Sequence, residues 1–437
     1  MRLFKTIAAI SILLGCLVAQ PLRADEAAEK AAFEQAEQLI AQRRFDDARK
    51  ILAATPRNSD YARVYGAFVQ ARIDEETARL TTARDAYRKI LETHPSLARV
   101  RLQLARTLAK LEDTDAARRH FEFVLGAADA TAPYLDRVRA DLRLLDGAKN
   151  WSAQGYVTVA PTTNMTSGSS QDVIIIGGLP FKPSDQSQRK SGVGALYGAD
   201  LAYAAPVQGG NWGWVGTLST VNRDYQGSGY DDRGARASAG LRYLVPGGVA
   251  MLEMVGNRRW FAGSGYQYSF GPLLSTRFFA TEKDRITGAV SVAEQRYDDA
   301  SYLNGHRMAV TASWDRFTFP GQFIRIGAAY DRETAKNDHM TYNEFGGLIG
   351  YNVETPWALS IYPEFAYAYR AYEGDFPLMN EARRDHRVVG SLSLVKTNMA
   401  LFGFAPRLLF TYTYNFSNVK FYEYDRFDTA LTLTRSF

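Results

Sequence analysis

From Trp151 to Phe437 the chain is a succession of short segments in which apolar and polar residues alternate, each ended by Gly, Asn, Asp or Pro. No apolar run in that stretch approaches the roughly 20 residues of a membrane-spanning helix. A period of two places one set of side chains on each face of an extended strand. Fourteen such segments occur, from WSAQGYVTVA at Trp151 to FDTALTLTRSF at the C-terminus. Each has about 9 to 11 residues or somewhat more, enough for a tilted strand to cross a bilayer, and an even number returns both ends to one side. Some connections are short (PVQGG, PGG, TEKD, PGQ, ETPW), whereas PTTNMTSGSSQDVIIIGGLPFKPSDQSQRK and EGDFPLMNEARRD are long and polar. Backbone groups in lipid must be paired within the protein, so a sheet of this kind has to close. The expectation is an antiparallel transmembrane β-barrel over 151–437, with short turns on one side and longer loops on the other.

Side chains refine that expectation. Aromatic residues near segment ends, namely Trp212, Trp214, Tyr225, Trp260, Trp314, Phe317, Trp357, Tyr362, Tyr412 and Tyr414, are placed in interfacial girdles. Charges inside the segments, including Arg242, Arg258, Arg259, Glu294, Arg296, Arg325, Glu364, Arg370 and Lys396, are placed in the lumen or at the rims. A secreted soluble β-protein is the alternative, and it leaves the leader, the fourteen segments and the loop asymmetry unconnected.

The N-terminus reads as a leader. Met1-Arg2-Leu3-Phe4-Lys5 is basic, Thr6 to Ala19 is nearly all apolar, and Pro21-Leu22-Arg23-Ala24 leads into polar DEAAEK. This is the pattern of a secretory signal peptide over 1–24, cut after Ala24. Leu13-Leu14-Gly15-Cys16 loosely matches a lipobox, so lipidation at Cys16 is the alternative. Cys16 is the one cysteine of the chain, so cleavage after Ala24 leaves no thiol and no disulfide.

Between the leader and Trp151 the composition is different. All six tryptophans lie at or beyond residue 151, and only four of the twenty-five tyrosines precede it. The earlier stretch is rich in Ala, Leu, Arg and Glu, which favour helix. It also repeats: Ala83 and Ala117 are 34 residues apart, as are Tyr87 and Phe121. A 34-residue helical period is the tetratricopeptide length. Ala83, Tyr87, Ile90 and Pro95 suit one repeat's second helix, Leu104, Ala105 and Leu108 the next repeat's first, and RRFDDARKILAATP with Ala48 and Pro56 a shortened copy. The segment from about Phe33 to Gly126 resembles the tetratricopeptide family, with Gln70 as a departure where a large apolar residue is usual. Residues 25–150 are therefore read as a helical-repeat domain. Its candidate client-binding residues are Tyr65, Phe68 and Arg72 on one helix, with Arg99, Arg106 and Lys110 on the next. Solvated surface is the plainer reading of the same six.

Several functions are excluded by what is present. A formal charge of +5 over 437 residues, with acidic and basic residues interleaved, gives no basic tract for nucleic acid. His94, His120, His306, His339 and His386 lack metal-ligand spacing, GSGYDDRG lacks the spacing of a calcium loop, and neither a nucleophile elbow nor a P-loop occurs. No enzymatic activity, cofactor or metal is expected.

The last strand alternates Leu431, Leu433 and Phe437 with polar residues and ends in an aromatic ring, resembling the C-terminal signal by which outer-membrane barrels are read by their assembly machinery. More of the chain carries a resemblance. WSAQGYVTVAPTTNM from Trp151, GGLPFKPSDQSQRKSGVG from Gly177 and NRDYQGSGYDDRGARASAGLRY from Asn222, preceded by helical repeats, are similar to the surface lipoprotein assembly modulator family, Slam. Thr162 and Thr163 depart from the acidic and small polar residues expected there. The resemblance spans essentially the whole mature chain. It implies α + β architecture in two domains: a periplasmic tetratricopeptide-like module, then a fourteen-stranded barrel in the outer membrane. It also implies delivery of client lipoproteins, or related proteins that capture haem or iron, to the cell surface. The partners implied are the client, the outer-membrane lipids and the barrel assembly machinery. A polysaccharide export pore with a helical adaptor is the alternative; a lumen of one charge sign favours it, and these strands carry mixed charge.

Overall fold

A computed structural model of the chain describes residues 24–126, 137–138, 140–142, 145, 150–169, 171, 173–176, 178–184, 187–207, 210–245, 247–377, 379–397 and 405–434. The leader, Cys16 and Phe437 lie outside the described residues. The chain divides into two compact units, Met1–Ile90 and Leu91–Phe437.

The first unit is built from helices α1 (Ala24–Ala41), α2 (Phe45–Ala54), α3 (Asp60–Glu76) and most of α4 (Leu80–Thr93). Ser59 starts α3: its hydroxyl accepts from the Ala62 amide at 2.9 Å and donates to Glu29 at 2.7 Å, filling a bare helix end. Phe33, Leu52, Phe68, Ile73 and Tyr87 form the buried core. Tyr87 donates to Glu75 at 3.0 Å inside it, and burial beside that carboxylate raises its pKa, keeping the phenol protonated.

The second unit contains α5 (Ala98–Lys110) and α6 (Thr114–Val124), which precede the sheet. Three helical hairpins thus follow one another, and each turns through one left-handed residue: Arg43, Ala78 and Glu112, with φ of 59°, 62° and 65°. The last two are 34 residues apart, and so are the starts of α4 at Leu80 and α6 at Thr114. Tyr87 and Phe121, one period apart in sequence, are both buried.

Fourteen antiparallel strands close into a barrel: β1 (Trp151–Thr162), β4 (Gly192–Pro206), β5 (Trp212–Tyr225), β6 (Asp232–Val245), β7 (Gly248–Phe261), β8 (Ser264–Phe279), β9 (Asp284–Tyr297), β10 (Gly305–Phe319), β11 (Gln322–Glu333), β12 (Tyr342–Thr355), β13 (Leu359–Asp375), β14 (Ala382–Lys396), β15 (Ala405–Ser417) and β16 (Tyr424–Thr434). Each pairs with its sequence neighbour, and β1 pairs with β16 to close the ring. A small hairpin, β2 (Ile174–Ile176) with β3 (Leu179–Phe181), stands in the loop between β1 and β4. We call the end where β1 begins the base and the opposite end the rim.

Register fixes the two faces. Outward positions carry Trp212, Trp214 and Leu218 on β5, Leu252 and Met254 on β7, Phe270 and Leu274 on β8, and Phe345 and Ile349 on β12, all exposed. Only lipid makes a continuous apolar wall of this kind favourable. Inward positions are mostly polar or small, with a cluster of rings, Phe279, Phe317 and Phe323, near the base. Arg242, Arg259, Arg325, Glu364 and Arg370 face the lumen, as expected, while Arg258, Glu294, Arg296 and Lys396 stand on the outer wall near strand ends. Three girdle assignments are corrected. Tyr225, Phe317 and Tyr362 occupy inward positions: Tyr225 packs over Gly194, Phe317 is 1% exposed, and Tyr362 donates to Glu364 at 2.6 Å. Proximity to a strand end does not reveal parity, and parity decides the face.

The loop asymmetry follows expectation: the five short connections lie at the base, and the two long polar ones, β1–β4 and β13–β14, lie at the rim. Rim connections are mostly single 3-10 turns, such as Ser228–Tyr230, Ser301–Leu303 and Asp338–Met340, and β7–β8 turns in two residues, Ala262 and Gly263, both left-handed as a type I′ hairpin requires. The longest rim connection joins β1 to β4.

Candidate functional site at the base of the barrel

Helix α6 lies across the base and is bonded to strands around its circumference. Asp115 in its first turn accepts from Gln154 of β1 at 2.7 Å. One turn on, Arg119 donates to Ser360 of β13 at 3.1 Å. Glu122 pairs with Arg285 of β9, and after the last turn a Cβ at Gly126 would stand 2.7 Å from the Phe319 carbonyl in the β10–β11 turn. That contact demands glycine: an added methyl group would displace the helix end from the strand turn.

The interaction is both ionic and aromatic. Arg101 of α5 is wholly buried and meets Glu354 of β12 at 2.7 Å, while its guanidinium also donates to the Pro95 carbonyl at 2.6 Å. Arg285, held by Glu122, also donates to Asp315 at 2.6 Å, and Arg325 donates to the same carboxylate at 2.6 Å. Asp315 is 1% exposed, so its charge is tolerated only because two guanidinium groups surround it. Phe123 inserts between these charges. Its ring lies 6.4 Å from Phe317 and 6.2 Å from Phe323, with the guanidinium groups of Arg101 and Arg119 at 5.3 Å and 5.4 Å.

Above this floor the lumen is two-sided. A cavity of about 750 Å³ is lined by Tyr156, Asp200, Arg223, Arg236, Asn257 and Gln295, among others. Another of about 400 Å³ has a wall of small residues: Gly327, Ala329, Gly346, Ala366 and Ala368. Charge of both signs recurs toward the rim, where Glu344 accepts from Arg370 and Arg387, each at 2.7 Å, and Arg307 pairs with Asp331. The described residues of the lumen therefore carry both charge signs. Among the described residues no group of three or more His, Cys, Asp or Glu side chains is placed to hold a metal ion.

The residues singled out from sequence fall on two helices in separate units. On α3, Phe68 is 2% exposed between the rings of Tyr65 and Tyr87, Tyr65 is half-buried and donates to Glu37 at 3.2 Å, and Arg72 is half-buried beside Glu76 at 3.7 Å. On α5, Arg99 and Lys110 are exposed, and Arg106 forms an ion pair with Asp141 at 2.9 Å. Sequence reasoning passed over Arg101, Glu122, Phe123, Arg285, Asp315 and Glu354. A signal existed in the strands: Arg285, Asp315 and Arg325 pair successively in register and so share the inward face beside short turns.

A closed fourteen-stranded barrel with an apolar outer wall, a polar lumen and a helix across its base is an outer-membrane β-barrel protein with an N-terminal helical region. Residues 151–437 match the family model described as surface lipoprotein assembly modifier, and the chain belongs to that family. It is 23% identical over 360 residues to surface lipoprotein assembly modifier 1 of Haemophilus influenzae, covering 80% of this chain and 73% of that one. It is 22% identical over 400 residues to the surface lipoprotein assembly modifier of Pasteurella multocida, covering 85% and 76%. Among solved structures, the outer membrane channel DcaP of Acinetobacter baumannii aligns over 65% of this chain and 96% of that one, with 9% identity and a TM-score of 0.39.

Proposed function

We propose that this protein delivers client lipoproteins, or related proteins that capture haem or iron, from the periplasm to the cell surface. The observation that supports this reading best is the bonding of the α5–α6 hairpin to the barrel base, through Arg101–Glu354 from α5 and Glu122–Arg285 from α6, in a chain of the surface lipoprotein assembly modifier family. A helical capture surface joined to the barrel opening raises the local concentration of a bound client there. In this reading residues 25–150 are the periplasmic domain, outer-membrane lipids cover the apolar wall, and the barrel assembly machinery reads the strand ending at Phe437. Arg99 and Lys110, exposed on α5, are the foremost of the proposed client contacts, followed by Arg106 on the same helix and by Tyr65 and Arg72 on α3. Phe68 contributes by supporting Tyr65 from the core. The role is transport rather than catalysis, with neither cofactor nor nucleic acid.

The test is to express each lipoprotein encoded next to this protein with and without it, and to score surface exposure by protease shaving of intact cells. Exposure that depends on the protein, and that falls in an Arg99→Glu, Lys110→Glu double variant whose barrel still assembles, is the expected result. Equal exposure without the protein, for every neighbouring lipoprotein, overturns the reading and leaves the polysaccharide pore in its place.

A further inference from the structure

The fourteen interfaces of the barrel are unequal. Thirteen carry eleven to fourteen paired positions each, whereas among the described residues β1 and β16 are paired at three: Thr158 with Thr432, Val159 with Leu431, and Thr162 with Asp428. The cause is in the sequence of β1. The Thr163 amide donates to the Phe427 carbonyl at 3.0 Å, so the odd-numbered residues of β1 point their backbone groups at β16. Pro161 is one of them and has no N–H to give. Opposite Thr163, the Phe427 amide bonds to the threonine hydroxyl, at 2.9 Å. Among the described residues a side-chain bond between the hydroxyls of Thr158 and Thr432, at 2.7 Å, crosses the middle of the seam.

At the rim the seam is held from outside the ladder. The β1–β4 loop reaches over to β16: Arg189 grips Asp425 with two bonds of 2.9 Å and 3.1 Å, and Arg426 donates to Ser167 at 3.1 Å. Asn164, wholly buried, bonds to the Gly168 and Asp425 carbonyls at 2.9 Å and 3.0 Å. These bonds come from a loop, which can let go without breaking a strand pair. On its membrane face β16 borders an apolar groove floored by Gly390 and walled by Phe365, Phe410, Tyr412 and Phe427.

We propose that the β1–β16 seam is the site engaged by a lipid-anchored polypeptide, opening laterally so that the acyl chains enter the apolar groove over β13–β15 that β16 borders with Phe427, while the polypeptide occupies the lumen. This rests on the transport reading above. A cargo with one lipid-soluble end and one water-soluble body has to straddle the wall of a barrel, and the wall is least cohesive here. Acyl chains are excluded from the polar lumen by the same hydrophobic term that holds them in the bilayer.

The chain has a single cysteine, Cys16, so an introduced pair beyond it acts alone. Thr158 and Thr432 are a non-hydrogen-bonded pair, whose Cα separation of about 4.5 Å suits a disulfide. The experiment uses Thr158→Cys with Thr432→Cys in the full chain, Val159→Cys with Leu431→Cys as a second lock if the first fails to assemble, and Ala202→Cys with Thr217→Cys across β4–β5 as control. Shaving of the neighbouring lipoprotein is scored in oxidised and reduced cells. Exposure lost on oxidation of a seam lock, restored by dithiothreitol and unaffected in the control, is expected. Exposure unchanged in an oxidised seam lock overturns the seam and leaves the transport reading standing. Equal loss in the control overturns it as well, by showing a general need for a flexible wall. Absence of exposure with the unlocked protein overturns both.

Discussion

Arg101 of α5 and Glu354 at the end of β12 meet at 2.7 Å with exposures of 0% and 13%, although 253 positions separate them in the chain. Arg119 shares the same carboxylate at 3.8 Å. Docking of the α5–α6 hairpin thus rests on a charge pair that neither element can satisfy alone.

Glu354→Ala removes the partner and leaves a wholly buried guanidinium. Such a loss costs about 3–5 kcal/mol, whereas replacing both charges with apolar groups is often nearly neutral. Hydrogen exchange in α5 and α6 is expected to accelerate strongly in the single variant and to recover in Arg101→Met combined with Glu354→Met. Equal exchange in wild type and Glu354→Ala would mean that the pair does not hold the hairpin.

Phe123→Ala leaves a hole between Phe317 and Phe323. Truncation of a buried phenylalanine costs about 3–5 kcal/mol. The expected outcome is faster exchange in α6 with an unchanged heat-modifiable barrel, since the strand ladder does not depend on this ring. A barrel that fails to assemble would show instead that the helix is needed for closure.

Residues 25–150 expressed alone are expected to be soluble and strongly helical by circular dichroism, because three hairpins follow one another in the chain with the same turn at Arg43, Ala78 and Glu112. Phe123 loses its barrel partners in that fragment, so Phe123→Ser is expected to raise its solubility. A disordered spectrum in both would show that the helices depend on the barrel.

Deletion of Phe437 is expected to lower the assembled, heat-modifiable fraction in membranes while leaving the folded barrel stable once formed. An unchanged fraction would count against the terminal ring as an assembly signal.

The alternation of apolar and polar residues determined by itself that this is a barrel of fourteen strands. In an extended chain, parity sorts side chains with no help from other segments, and lipid on one side makes that sorting obligatory. The 34-residue spacing of Tyr87 and Phe121 likewise gave two buried ring positions, because helical packing repeats locally. Aromatic identity alone could not tell Trp214, on the outer wall, from Phe317, which faces inward and is covered by Phe123. Only the tertiary structure decided that α6 crosses the base, that Glu122 finds Arg285, and that Pro161 falls on the closing seam and faces β16. Each is a meeting of residues far apart in the chain. Local pattern fixes which face a side chain occupies, but its partner is set by how the ring closes.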